Sequence, residues 1–220
     1  MKTILVTGFE PFGGEKINPS QEIARALDGR EIAGRRVVGA VLPCVFGASV
    51  AELKRLLRTQ RPELVVCLGL ASGRAEITPE RVAINVDDAR IADNAGAQPI
   101  DRPIVRGGPA AYWSTLPVKA IVAALRKRGV PASISQTAGT FVCNHVFYGL
   151  MHALAKQRAL RRGSGLASRG GFIHVPLLPK QAKKNQPNLP LEKMIEAIAV
   201  AVEVAATTRR DARRAGGQIN

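Results

Sequence analysis

Cysteine, aromatic residues and acidic residues are all scarce in this chain of 220 residues, and each scarcity excludes a class of protein. The three cysteines are Cys44, Cys67 and Cys143. So few cysteines, and an odd number of them, do not form the framework of a disulfide-rich domain. No apolar run is long enough to span a membrane. The first residues have too short an apolar core for a signal peptide, so we expect a reducing, cytoplasmic location.

Acidic residues number 17 against 32 lysines and arginines, which gives a net charge of +15. Such an excess is a reason to consider a nucleic acid or another anionic partner. However, the basic residues are spread over helix faces, a loop and the C-terminal segment, and the aromatic residues (4% of the chain) do not interleave with them. A solvated basic surface is therefore the favoured interpretation, and a nucleic-acid-binding α/β domain is kept as an alternative.

Apolar runs and helical patterns alternate along the chain. Continuous apolar runs rich in β-branched residues are typical of strands buried on both faces of a parallel sheet. The predicted strands are residues 2–7, 36–42, 63–70 and 171–176, and the predicted helices are residues 19–27, 48–59, 117–128, 142–160 and 191–207. This order predicts a single-domain three-layer α/β/α sandwich around a mostly parallel, mixed sheet over residues 1–208, with a flexible basic tail at 209–220.

A glycine-rich turn, Gly8 to Gly14, follows the first predicted strand and presents two phenylalanines. It has the glycine density of a phosphate-binding loop, but Glu15 and Lys16 stand where Gly-Lys-Ser/Thr is needed, so a P-loop is excluded. Binding sites in open α/β sheets lie at the carboxyl ends of the strands. A nucleoside phosphorylase-like enzyme is therefore a further alternative. Residues 87–108 have no periodic pattern, and so long a loop predicts a functional segment or an oligomer contact.

The most informative stretch surrounds Cys143. A strand-like run at residues 132–135 is followed by a turn of small residues at 137–140 and then by a helical pattern that begins near Cys143. A helix start lowers the pKa of a thiol and offers free backbone N–H groups to an oxyanion, so we expect Cys143 to be a nucleophile. Cys44, also at a strand end, is a weaker rival, and Cys67 lies in mid-strand, where packed core is the favoured interpretation.

A cysteine nucleophile needs a base and a group that orients the base. His145 lies on another face of the Cys143 helix and His152 lies two turns further along it, which leaves His174 at the end of the last predicted strand. The sequence pattern leaves the orienting carboxylate open. The candidates are Glu76, Glu80, Asp87, Asp88 and Asp93.

Six stretches, in order along nearly the whole chain, resemble pyrrolidone-carboxylate peptidases (pyroglutamyl peptidase type I). They are ILVTGFEPFGG, PERVAIN, DARIADNAG, GPAAYWSTLPVK, QTAGTFVCNHVFYGLMH and FIHVPLLP. The resemblance implies a nucleophile at Cys143, a general acid and base at His174 and an orienting carboxylate at Glu80. It also implies a cysteine exopeptidase that removes N-terminal pyroglutamate from small peptides through a thioacyl-enzyme, and a homo-oligomer, often a tetramer. We expect no cofactor and no metal, since cysteines and histidines lack zinc-like spacing.

The resemblance further implies an aromatic pocket for the pyrrolidone ring, built by Phe9 and Phe12 with Phe141 near the nucleophile. A flat, uncharged lactam suits stacking on aromatic rings together with a few backbone hydrogen bonds. Arg90 is a weaker candidate for the oxyanion side of the site.

Two positions depart from the family pattern. Many members have Gln where this chain has Leu70, and Asn where it has Gln136. Because the resemblance implies that position 70 lies close to the pocket, the way in which the ring is recognised depends on Leu70.

Overall fold

The computed structural model describes residues 2–160, 168–213 and 215–217. The strands are β1 (Thr3–Phe9), β2 (Glu31–Ile32), β3 (Arg35–Leu42), β4 (Leu64–Leu70), β5 (Thr78–Pro79), β6 (Val82–Ile84), β7 (Ala111–Trp113) and β8 (Arg169–Val175). The helices are α1 (Pro19–Leu27), α2 (Ala48–Gln60), α3 (Val118–Lys127), α4 (Val142–Leu160) and α5 (Leu191–Thr207). The five predicted helices and four predicted strands are confirmed, with small shifts at their ends.

The main sheet has six strands in the order β2-β3-β1-β4-β8-β5. The central pairs, β1 with β3, β1 with β4 and β4 with β8, are parallel, whereas the edge strands β2 and β5 pair antiparallel. Alternate residues of β1 face opposite layers, because Ile4 and Val6 pack with α1, α3 and α5 while Leu5 packs with α2 and α4. The predicted three-layer sandwich around a mixed sheet is therefore confirmed.

Helix α1 lies directly against the sheet because two glycines permit it. A Cβ on Gly8 would lie 2.0 Å from the carbonyl oxygen of Ser20, and one on Gly39 would lie 2.1 Å from that of Ala24. The helix is capped by Asn18, whose side chain accepts from the Ser20 N–H at 3.0 Å, and Pro19 occupies the first turn. This anchoring holds the glycine-rich turn at the carboxyl edge of the sheet.

The run at 132–135 is not the strand that the sequence predicts. It makes two isolated parallel bridges, Ala132 with Ile77 and Ser135 with Glu80. Pro79 lies between the two bridged positions and has no N–H, so it cannot donate to a continuous ladder. The consequence is that the segment carrying Glu80 runs beside the turn that leads to α4.

The described part of the C-terminal segment contacts the domain. The carboxylate of Asp211 accepts from the N–H groups of Lys119 and Ala120 at 3.1 and 2.9 Å, at the start of α3. The carbonyl of Gly216 accepts from Arg81 at 2.7 Å. The sequence predicts a basic loop at residues 161–171, and residues 161–167 of it lie outside the described residues. The division into domain and tail stays a prediction. None of the described helices has the length and apolarity required to cross a bilayer.

Candidate active site

The candidate site lies where the carboxyl ends of β1, β4 and β8 meet the start of α4. Phe9 ends β1, Leu70 ends β4, and His174 is the penultimate residue of β8. Helix α4 begins at Val142, so Cys143 is its second residue. The parallel sheet thus gathers these side chains at one edge, as expected for an open α/β fold.

A histidine and a glutamate are paired at the centre of this edge. Nδ1 of His174 lies 2.7 Å from Oε1 of Glu80, and the two side chains are 5% and 0% exposed. The backbone N–H of Glu80 donates to the carbonyl of Phe172 at 2.9 Å, which fixes the glutamate beside β8. Because a carboxylate only accepts, Nδ1 of His174 carries the proton and Nε2 is left for a group on the other side of the ring.

Arg74 neutralises this buried carboxylate, and sequence reasoning missed it. Its guanidinium donates to Oε1 of Glu80 and to the hydroxyl of Thr78, both at 2.7 Å, and to the carbonyl of Thr137 at 3.0 Å. A buried carboxylate without a cation is costly, so Arg74 offsets the charge of Glu80 and ties it to the turn before α4. The only sequence signal was the place of Arg74 in the small-residue turn after β4.

The thiol of Cys143 lies over a glycine next to His174. A Cβ on Gly69 would lie 2.8 Å from Sγ of Cys143, and Gly69 is the residue of β4 that pairs with His174 across the sheet. The ring of Phe172, on the same strand, is centred 4.9 Å from that of His174. The structure therefore brings Cys143, His174 and Glu80 together at one edge.

The expectation of a lowered thiol pKa is wrong. Burial raises the pKa of Cys143 far above its ordinary value, the charges of Cys44 and Glu80 raise it further, and Arg74 lowers it. The helix start does supply free donors, because the first N–H that bonds into α4 is that of His145, to the carbonyl of Phe141. Within the described residues, the N–H groups of positions 142–144 have no partner, which suits an oxyanion.

Asn144, a further residue that sequence reasoning missed, joins α4 to the segment that follows Glu80. Its side chain accepts from the N–H of Ile84 at 3.1 Å and donates to the carbonyls of Ile84 and Val86 at 2.9 and 3.0 Å. Asn144 is fully buried. This contact fixes the segment after the glutamate against the helix that carries the cysteine, and only proximity to Cys143 in sequence hinted at it.

Three half-buried phenylalanines pack on the same core cluster as Cys143. The ring centroids of Phe12 and Phe141 are 5.9 Å apart, and those of Phe46 and Phe141 are 5.5 Å apart in an edge-to-face arrangement. Phe9 is instead 2% exposed and packs on Phe172 at 6.4 Å, so its ring belongs to the core beneath the site. Phe46 was not predicted, although it follows the carboxyl end of β3, where a site residue is expected.

Two further predicted pocket residues, Leu70 and Arg90, and the divergent position Gln136 have different environments. Leu70 is half-buried and pairs with Val175. Arg90 is exposed and has no hydrogen bond to any described residue. The side-chain nitrogen of Gln136 is buried and finds no partner within the described ranges.

The rival histidines are occupied elsewhere. His145 contacts Asp87 and Gly47, at 2.8 and 3.0 Å, and His152 contacts the hydroxyl of Tyr112 at 2.9 Å. Of the other candidate carboxylates, Asp93 accepts from three backbone N–H groups, those of Phe46, Ala95 and Ala97. Glu80 is the candidate that meets His174.

The rival cysteines are buried. Cys44 is 3% exposed, and burial, with smaller contributions from Glu10 and Asp93, raises its pKa to about 12. Cys67 is fully buried in β4, and burial raises its pKa to about 12 as well. Among the described residues, no group of three or more His, Cys, Asp or Glu side chains is arranged to hold a metal ion.

Comparison with known proteins agrees with this geometry. A family model described as pyroglutamyl peptidase matches residues 2–208. The chain belongs to the pyroglutamyl peptidase family. It is 59% identical over its whole length, and the whole of the relative, to a pyrrolidone-carboxylate peptidase of Cupriavidus taiwanensis. A second relative, from Bacillus cytotoxicus, is 54% identical over 99% of each chain.

Solved structures of the pyroglutamyl peptidase family share the fold. That of pyroglutamyl peptidase I from Bacillus amyloliquefaciens has a TM-score of 0.92 and 45% identity over 97% of this chain and 99% of its own. That of pyrrolidone carboxyl peptidase from Pyrococcus furiosus has a TM-score of 0.87 and 46% identity over 93% and 98%. The mixed sheet with helices on both sides is therefore that of the family.

Proposed function

We propose that this protein is a cysteine exopeptidase that hydrolyses the bond after an N-terminal pyroglutamyl residue of small peptides. Cys143 is the nucleophile, His174 the general acid and base, and Glu80 the orienting carboxylate. Membership of the pyroglutamyl peptidase family supports the activity. The observation that supports the residue roles most strongly is the 2.7 Å contact between His174 and Glu80, beside a thiol that lies over the strand partner of His174.

The first chemical step forms a thioester. Since burial raises the pKa of Cys143, a free thiolate is unfavourable, and the thiol loses its proton only to Nε2 of His174. The sulfur attacks the pyroglutamyl carbonyl, and the unpaired N–H groups at the start of α4 stabilise the oxyanion. His174 then gives its proton to the leaving amine, the C–N bond breaks, and the pyroglutamyl group remains on Cys143 as a thioester.

The second step returns the enzyme to its starting state. His174, now neutral, takes a proton from water, which attacks the thioester carbonyl. The C–S bond breaks, Cys143 recovers the proton, and free pyroglutamate leaves. Glu80 holds the Nδ1–H tautomer and stabilises the imidazolium in both steps. Arg74 holds Glu80 in place through its hydrogen bond to Oε1.

Ring recognition relies on shape and backbone groups. The pyroglutamyl nitrogen is a neutral lactam, so no carboxylate is needed to bind an ammonium. Phe12, Phe46 and Phe141 offer aromatic faces and edges near the nucleophile. Leu70 has no polar atom in its side chain and cannot bond to the lactam, so we expect backbone groups to bond to the lactam N–H and C=O.

Release of a fluorescent amine from an L-pyroglutamyl amide under reducing conditions tests the proposal. We expect release by the wild type and by Cys44→Ser, and none by Cys143→Ser. Full activity in Cys143→Ser would move the nucleophile elsewhere, with Cys44 the next residue to test.

The location and assembly are also proposals. We infer a cytoplasmic homo-oligomer, and a tetramer is the form that the sequence resemblance implies. The exposed fractions of Ile100 and Trp113 are 72% and 70%, and association would remove this apolar surface from water. Light scattering of the purified protein measures the particle mass, and a monomer at all concentrations would contradict the inference.

We expect no nucleic-acid binding even at about 50 mM salt, where electrostatic binding is strong.

A further inference from the structure

A second buried acid–histidine pair lies beside the proposed catalytic residues and takes no part in the chemistry. Nδ1 of His145 is 2.8 Å from Oδ2 of Asp87, and the two residues are 8% and 6% exposed. Nε2 of His145 accepts from the backbone N–H of Gly47 at 3.0 Å. With Nε2 an acceptor, Nδ1 carries the proton and donates to Asp87, so the histidine bridges a carboxylate and a backbone N–H.

Stability alone does not account for this pair. The other oxygen of Asp87, Oδ1, is buried and has no hydrogen-bond partner among the described residues. Burying a carboxylate with one oxygen unpaired is unfavourable compared with apolar packing of the same volume. The backbone of Asp87 is itself fixed by two hydrogen bonds with Arg102, at 2.7 and 2.9 Å, so the pair is held rigidly.

The pair fixes the segment that carries Phe46. Gly47 has a φ of 74°, which glycine adopts readily, and its N–H is held by His145. The N–H of Phe46 donates to Asp93 at 2.8 Å. Two buried acids therefore set the path of this turn. Asp93 accepts directly from its backbone, and Asp87 acts through His145.

The pair also contacts the Phe46 ring. The ring centroids of Phe46 and His145 are 5.4 Å apart with an interplanar angle of 87°, and those of Phe46 and Phe141 are 5.5 Å apart at 89°. Phe46 is thus held edge-to-face between His145 and Phe141. Phe141 precedes the start of α4 by one residue, so this aromatic cluster lies at the start of the helix that carries Cys143.

We propose that Asp87 and His145 are positioning residues that hold Phe46 as a wall of the pyroglutamyl pocket. The inference rests on the proposed function. Asp87 and His145 then act on binding of the lactam ring, whereas Cys143, His174 and Glu80 act on bond cleavage. Loss of the pair should then raise KM for pyroglutamyl amides and leave kcat nearly unchanged, which is the signature of binding shared by ground state and transition state.

Two substitutions of His145 separate its roles. His145→Phe keeps an aromatic ring against Phe46 but removes both hydrogen bonds. We expect KM to rise by about tenfold or more, because the loss of even one buried hydrogen bond is worth about a factor of ten. His145→Gln can accept from Gly47 and donate to Asp87, so its KM should stay near the wild-type value. The control is His152→Phe, which loses only the Tyr112 contact and should leave KM unchanged.

Phe46→Leu tests the same claim without touching the buried pair. We expect a similar rise in KM, and in the double variant with His145→Phe the two effects should not add, because both act through one ring. An unchanged KM in Phe46→Leu overturns the proposal, even if His145→Phe does not fold. A fall in kcat at constant KM in His145→Phe also overturns it.

The rate of Cys143 alkylation by iodoacetamide separates this inference from the proposed function. We expect His145→Phe to match the wild type in this rate, since the pair does not contact His174.

Wild-type protein that does not cleave pyroglutamyl amides would contradict the proposed function. Cleavage by the wild type with equal KM in all the variants would contradict only the role of the pair.

Discussion

At the scale of single residues, the position of the thiol depends on a residue without a side chain. In Gly69→Ala, the new methyl group would lie 2.8 Å from both Sγ of Cys143 and the ring of Phe172, so one of them must move. Displacing a reacting atom by about 1 Å costs about 100-fold in rate, and we expect a loss of kcat of that order.

Steady-state kinetics measure this loss, and Gly73→Ala is the matched control. Gly73 lies in the exposed turn after β4, and a Cβ there meets nothing within 4 Å. A Gly69→Ala protein with wild-type kcat would contradict the placement of the thiol.

The raised pKa of Cys143 gives a prediction at the same scale. Burial disfavours the thiolate, so without an imidazole to take the proton the thiolate forms only at high pH. In His174→Ala, the rate of iodoacetamide labelling at Cys143 should be low at neutral pH and should rise only above the range of an ordinary thiol. In His152→Ala the pH profile should match the wild type. Identical profiles in His174→Ala and wild type would mean that His174 does not activate Cys143.

Sequence reasoning predicted some residues of the site and missed others. The positions of Cys143 and His174 follow from a helix start and a strand end, which local patterns predict. Arg74 escapes such reasoning because the turn that brings it to Thr78, Glu80 and Thr137 follows no local pattern. Phe46 escapes it because its partners, Phe141 and His145, lie far away in sequence. The sign of the Cys143 pKa shift was wrong because the helix start is visible in the sequence and the burial is not. The catalytic roles themselves stay predictions.

At the scale of elements, the join between α4 and the segment after Glu80 depends on Asn144. Asn144→Ala leaves the N–H of Ile84 and two carbonyl groups without partners, and an unpaired buried polar group costs about 1–3 kcal/mol. We expect the free energy of unfolding to fall by about 3 kcal/mol in denaturant titrations. Asn188→Ala, at an exposed position, is the control and should change little. A loss in Asn144→Ala no larger than the control's would contradict this role.

The helices were predictable from sequence because apolar periodicity and caps determine them locally. The Asn18 cap with Pro19 gave the start of α1, and its end at Leu27 was also predicted. The strand predicted at 132–135 does not form, because its pairing depends on Pro79, some fifty residues earlier. The missing N–H of Pro79 interrupts the ladder of hydrogen bonds. Local composition reports the strand tendency of a run but not the residues of its partner.

At the scale of the whole molecule, the protonation of His152 makes the stability of the fold depend on pH. Burial, followed by the charges of Lys156 and Lys54, lowers the pKa of His152 in the folded protein. The unfolded chain therefore binds the proton more readily, so this residue favours folding above the ordinary histidine pKa of about 6.5 and that contribution is lost as pH falls. We expect the slope of stability against pH below about 6.5 to flatten in His152→Gln, measured by thermal unfolding. An unchanged slope would contradict it.

The most direct test of the whole account is to locate the acyl group during turnover. With an activated L-pyroglutamyl ester, we expect acylation to be faster than hydrolysis of the thioester, so that the intermediate accumulates. Acid quenching followed by mass spectrometric peptide mapping should find a pyroglutamyl thioester on the peptide that contains Cys143, in the wild type and not in Cys143→Ser. An acyl group on the peptide that contains Cys44, or on neither, would contradict the account.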